Sequence, residues 1–72
     1  MKKVQIKNGN KTIALFDSES TERYDLYNDI HKHILAVFPN IHIHKIDHDG
    51  TIAGFLQSGE AFDWTWRAKD IT

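Results

Sequence analysis

Five histidines, ten acidic residues and no cysteine set the chemistry open to these 72 residues. His42 and His44 stand i,i+2, so on a strand their imidazoles share a face at a separation one metal ion can bridge. Such a site needs a third ligand, and pairing across the next two strands offers Gln57 and Glu60 opposite His42. His31 and His33 lie about 200° apart on a helix and cannot serve one metal. Surface or half-buried histidines without a metal are the stronger reading. Asp47-His48-Asp49-Gly50-Thr51-Ile52 matches the middle of a calcium loop, but its ends fail. Lys45 stands where the first carboxylate belongs, and Leu56 where the bidentate glutamate belongs. A hairpin turn explains the segment better.

Nucleophilic catalysis finds no frame. Ser18, Ser20 and Ser58 lie outside any Gly-x-Ser-x-Gly pattern, and Ser58-Gly59 reads as a turn. There is no glycine-rich phosphate loop and no His-Glu-x-x-His. Glu60 with Asp63, and Asp47 with Asp49, are paired carboxylates, yet a domain this small offers little volume for a water-excluding cleft. The expectation is a protein that is not an enzyme and takes no cofactor.

Two clusters suggest binding instead. Trp64-Thr65-Trp66, followed by Arg67 and Lys69, has the residue types of a stacking platform for single-stranded nucleic acid. Lys2, Lys3, Lys7 and Lys11, with no acid among the first eleven residues, have the charge to meet phosphates. The blander readings are preferred. Aromatics alternating with polar residues make a core-facing strand, and lysines on an edge hairpin discourage strand-to-strand aggregation.

Composition bounds the rest. The length suits one domain spanning residues 1–72. A chain of this size buries only roughly 60% of its unfolded surface, and without cysteine it has no disulfide to compensate. Phe16, Phe38, Phe55, Phe62, Trp64 and Trp66 are the expected source of buried area. A hydrophobic content of 40% and a charged content of 26% are ordinary for a globular protein. No apolar run approaches a membrane span, and the Met1-Lys2-Lys3 start lacks a secretion signal's apolar stretch, so a cytoplasmic location is expected. The formal charge of −1 disfavours a dedicated duplex-DNA binder.

The elements that must position these residues follow from periodicity. Val4 and Ile6 alternate with polar neighbours, as do Ile13 and Leu15, with Asn8-Gly9 between them: a hairpin. A two- or four-residue loop puts all four apolar side chains on one face, whereas a three-residue loop needs a bulge. Residues 21–38 read as the only helix, with Ser18, Ser20 and Thr21 as candidate N-caps. Tyr27, Ile30, Ile34, Val37 and Phe38 form its apolar stripe, flanked by Leu26 and Leu35, and Pro39 ends it. Residues 41–47 and 51–57 form a second hairpin through Asp49-Gly50, read as a two-residue turn. Residues 61–69 form a last strand, with Phe62, Trp64, Trp66 and Ala68 on one side and Asp63, Thr65, Arg67 and Lys69 on the other. The order is ββαβββ, an α+β domain with one helix across one face of an antiparallel sheet.

Literal two-residue turns place Ile46 beside Ala53 and Trp64. They leave one conflict, because Ile41 and Ile43 are odd while Ile46 is even. A bulge near His44-Lys45 turns all three isoleucines to the core and sends His42 and His44 outward. Without it, Ile41, Ile43, Leu56 and Ala61 form an outside apolar patch, a candidate contact surface. The function expected by elimination is a non-catalytic protein-binding module, an inhibitor or accessory protein of the phage or mobile-element type, monomeric or homodimeric. Its candidate surfaces are that patch and the edge of the first hairpin. The alternatives are a nucleic-acid module using the lysines and the tryptophan strand, and a metal- or pH-responsive module using His42 and His44.

Overall fold

The chain runs through β1 (Lys2–Asn8), β2 (Lys11–Ser18), α1 (Arg23–Val37), β3 (His42–Ile46), β4 (Thr51–Phe55) and β5 (Ala61–Asp70). The computed structural model describes residues 1–19 and 23–70, excluding the side chains of Arg23 and Tyr24. All strand pairs are antiparallel, in the order β2-β1-β5-β4-β3. The helix links the two edge strands and lies across one face, as the ββαβββ reading requires. Among the described residues no helix is long and apolar enough to cross a membrane.

The helix stays on the sheet because Leu26, Ile30 and Ile34 recur at four-residue spacing and are all buried. Tyr27 meets Trp66 edge-on at 6.0 Å, and Phe38 tilts against Trp64 at 5.5 Å. Beneath them the sheet contributes Val4, Ile6, Ile52, Phe62 and Trp64. Val37, expected in the apolar stripe, is exposed. Ser18 is not a helix cap: it ends β2, is buried, and its hydroxyl donates to the Asp29 carboxylate at 2.6 Å. Ser20 and Thr21 lie outside the described residues. The helix ends just before Pro39, as expected, with Phe38 N–H still donating to the Ile34 carbonyl.

Both edge strands carry a bulge. In β3 the register shifts between Ile43 and Lys45, leaving His44 as the extra residue. The parity conflict is resolved this way: Ile41, Ile43 and Ile46 pack against the core, and His42 and His44 are exposed. In β2 the shift leaves Ile13 as the extra residue, since Lys7 pairs with Thr12 but Ile6 with Ala14. The expected face of β2 is therefore corrected. Ala14 and Phe16 turn inward opposite Ile6 and Val4, and Leu15 turns out to solvent. The larger Phe16 ring gains more buried area there, stacking on His33 at 3.9 Å.

The two later hairpins close through three-residue loops, not the expected two. Gly50 N–H donates to the Asp47 carbonyl and Gly59 N–H to the Leu56 carbonyl, each ending a four-residue turn. Each glycine then takes a positive φ, 97° and 89°, which returns the chain to the ladder. One extra loop residue shifts each pairing by one. Ile52, not Ala53, faces Ile46 and Trp64, and Gly54 lies opposite Phe62.

Candidate functional site

The residues singled out in the sequence scatter over both sides of the sheet. Ile41, Ile43 and Leu56 are half-buried and packed against the core, while Ala61 is exposed and pairs with Phe55 on the other face. The outside patch of Ile41, Ile43, Leu56 and Ala61 therefore does not form, because the bulge at His44 turns the isoleucines inward. Trp64 is buried and stacked on Phe62 at 4.1 Å. Trp66 is half-buried on the helix side, and its indole N–H donates to the Asp47 carbonyl at 3.0 Å. Neither ring is free to take a base, so the tryptophan stacking platform is absent. Strict alternation along β5 explains this, since the helix covers the even-numbered side.

The four N-terminal lysines are also divided. Lys2 pairs with the buried Ser18 on the helix side, and Lys11 sits exposed at the hairpin end. Lys3 and Lys7 lie on the open face. His42 and His44 are both exposed, but the bulge sets them apart in register, and among the described residues no third ligand joins them. No cluster of three metal-ligating side chains is present among the described residues.

The calcium-like segment folds as a turn held by its own carboxylates. Asp49 Oδ1 accepts from Thr51 N–H and Thr51 Oγ1 at 3.1 and 2.7 Å. Asp47 is held by Lys45 Nζ at 3.0 Å and by His48 N–H and Nδ1, both at 2.9 Å. The Lys45 ammonium holds the Asp47 carboxyl below its ordinary value, and Asp47 in turn raises Lys45.

What the fold does assemble is the sheet face that the helix leaves open. Pairing of β1 with β5 sets Lys3 opposite Lys69, Gln5 opposite Arg67 and Lys7 opposite Thr65. Pairing of β1 with β2 adds Asp17 beside Lys3 and Leu15 beside Gln5. Three cations, Lys3, Arg67 and Lys69, thus gather around one leucine that is 58% exposed, with Lys7 further along β1. A groove of about 210 Å³ is lined by Lys3, Gln5, Leu15, Arg67 and Lys69. Gln5 and Arg67 also line a second groove of about 340 Å³, shared with Lys7, Asp49, Gly50, Thr65 and Trp66. Further along the same face, Phe55 is 45% exposed between Ala61 and His42.

Leu15 and Phe55 were not legible as surface residues, since the first hairpin's alternation put Leu15 inward and Phe55 counted among the expected buried aromatics. The clue for the cations was their parity: Lys3 and Lys7 are odd in β1, as Arg67 and Lys69 are in β5. Compared with protein-family models, curated proteins and solved structures, the chain matches none.

Proposed function

We propose that this chain is a non-catalytic protein-binding module that contacts its partner through the open sheet face and acts as an inhibitor or accessory subunit. The observation that carries the reading is Leu15, exposed on that face among Lys3, Arg67 and Lys69, with Phe55 exposed further along the same face beside Ala61 and His42. A face of this composition, apolar anchors within a charged surround, suits a protein contact. The acids support the same reading. Asp29, Asp47 and Asp49 are engaged in the fold's own hydrogen bonds and ion pairs, so they serve turns and packing rather than a reacting group.

The bulge at Ile13 also favours the face over the edge of β2, because it interrupts the row of backbone groups a partner strand would pair with. The test is capture of a nuclease-treated extract of the source cells on the immobilised protein. Wild-type protein should retain a near-stoichiometric partner, and Leu15→Asp and Phe55→Asp, both still folded, should lose it. Retention by both variants, or loss of capture after nuclease, refutes the reading.

A further inference from the structure

We infer that the partner offers an extended acidic segment with an apolar residue between two carboxylates, laid along β1 and β5 over Leu15. This rests on the protein-binding reading and names the chemistry of the occupant. Lys3 and Lys69 are directly opposed across the ladder, an arrangement that is unfavourable in a free sheet. Arg67 stands diagonal to both Lys3 and Lys7, and all four cations share one face. Among the described residues the ion pairs are Lys45–Asp47 and His48–Asp47, so none of these four cations has one. Four of the chain's nine lysines and arginines gather along this β1–β5 seam, with the Asp17 carboxylate opposite Lys3. Carboxylates arriving from outside would relieve that repulsion as well as gain the attraction.

Spacing defines the segment. Lys3 and Lys7 are four residues apart on a strand, a reach of about 13 Å at ~3.3 Å per residue. An extended chain with carboxylates four residues apart has the same reach, and its middle side chain falls over Gln5 and Leu15, where the groove between Lys3 and Arg67 is apolar-floored. A nucleic acid fits less well. Trp64 and Trp66 belong to the helix side, so no tryptophan ring stacks a base here, whereas the groove offers Leu15 to an apolar side chain.

The test uses the full chain and a synthetic peptide with a Glu-Ser-Leu-Ser-Glu core, followed by amide chemical-shift mapping. A Lys-Ser-Leu-Ser-Lys peptide and a ten-residue oligothymidine serve as comparisons. Shifts confined to Lys3, Gln5, Leu15, Arg67 and Lys69, with Arg67→Glu plus Lys69→Glu weakening binding about tenfold or more, support the inference. Lys69→Glu should also raise the melting temperature of the free protein, because it replaces a like-charge pair with Lys3 by an opposite one. That gain separates a binding role from a structural one. Shifts that are absent or lie elsewhere, or tighter binding of oligothymidine to this face, overturn it. If the peptide fails while a partner is still captured through Leu15 and Phe55, this inference falls and the protein-binding reading stands. If the peptide binds but no protein is captured, the charge recognition holds and the protein-binding reading falls.

Discussion

Replacing Gly54 with alanine puts a methyl group where the sheet has no room for one. A Cβ built there lies 2.7 and 2.8 Å from two ring carbons of Phe62 and closer still to the backbone carbonyl oxygen of His42. Carbon atoms pack at about 3.5–4.0 Å, so the ring must retreat by roughly 1 Å. It has nowhere to go, since Phe62 is buried and stacked on Trp64, which Phe38 covers in turn. The carbonyl is no freer, because His42 belongs to the β3–β4 ladder. Overpacking a core costs about 1–3 kcal/mol, and a clash with both ring and backbone belongs at the upper end. A domain of this length has a total stability of about 4–11 kcal/mol, so about 3 kcal/mol is a large share. The melting temperature should fall by about 12–24 °C. Urea denaturation followed by tryptophan fluorescence measures the change directly. Gly9→Ala is the comparison: nothing lies within 4 Å of its Cβ, and only the positive φ of 63° opposes it, at about 1 kcal/mol. A second variant, Phe62→Leu, should recover part of the Gly54→Ala loss. If Gly54→Ala costs no more than Gly9→Ala, the β4–β5 register described above is wrong.

Three further outcomes check other parts of the structure. Ile43→Asp should destabilise by about 3 kcal/mol or more, since it buries a charge against the core, whereas Leu15→Asp should stay within about 0.5 kcal/mol; equal effects in denaturant melts would contradict the face assignments. Ser18→Ala leaves the Asp29 carboxylate short of a donor and should cost about 1.5–3 kcal/mol in the same assay, with no change refuting the contact. Asp47, held below its ordinary value near 3.8 by Lys45, contributes stability that is present above that pH and lost as pH falls through the lower folded value. Lys45, raised above 10.5, contributes stability that is present below that pH and lost as pH rises through the higher folded value. In Lys45→Met the alkaline dependence should vanish and the acid one should shrink to what the His48 hydrogen bond to Asp47 leaves, and a titration of stability that is unchanged by this substitution would count against the pair.

Strict alternation made β5 readable, because four apolar side chains on even positions admit only one buried face. The bulge at His44 was readable for the opposite reason: Ile43 and Ile46 cannot both face inward without an extra residue. The bulge at Ile13 had no such signal, since Val4, Ile6, Ile13 and Leu15 satisfied a regular hairpin. What decided for Phe16 over Leu15 was the helix above, with His33 and the buried Ser18–Asp29 contact fixing its approach. Turn length was ambiguous at Asp49-Gly50 and Ser58-Gly59. A glycine with positive φ serves a two-residue loop and equally the third position of a three-residue loop. The open cationic face was hidden for a different reason. Lys3 and Lys69 become neighbours only through a pairing across nearly the whole chain, and no local pattern reports that pairing.

That same pairing governs how the molecule can assemble. β1 and β5 adjoin at the centre of the sheet, so Lys2 meets Asp70 while the strands between them fill the two flanks. Each hairpin can form from local contacts within microseconds, but joining β1 to β5 closes a loop of nearly the entire chain. Val4, Ile6 and Trp64 meet only at that step, which makes it the slow one and makes it nearly all-or-none. During synthesis β5 emerges after the other four strands, and it is the one that both halves require. Until then β1 offers one bare edge and β4 another, and Ile6 and Ile52 lack their central neighbour. A nascent or truncated chain that stops before β5 is accordingly two separate pieces with sticky edges, the species most exposed to proteases and self-association.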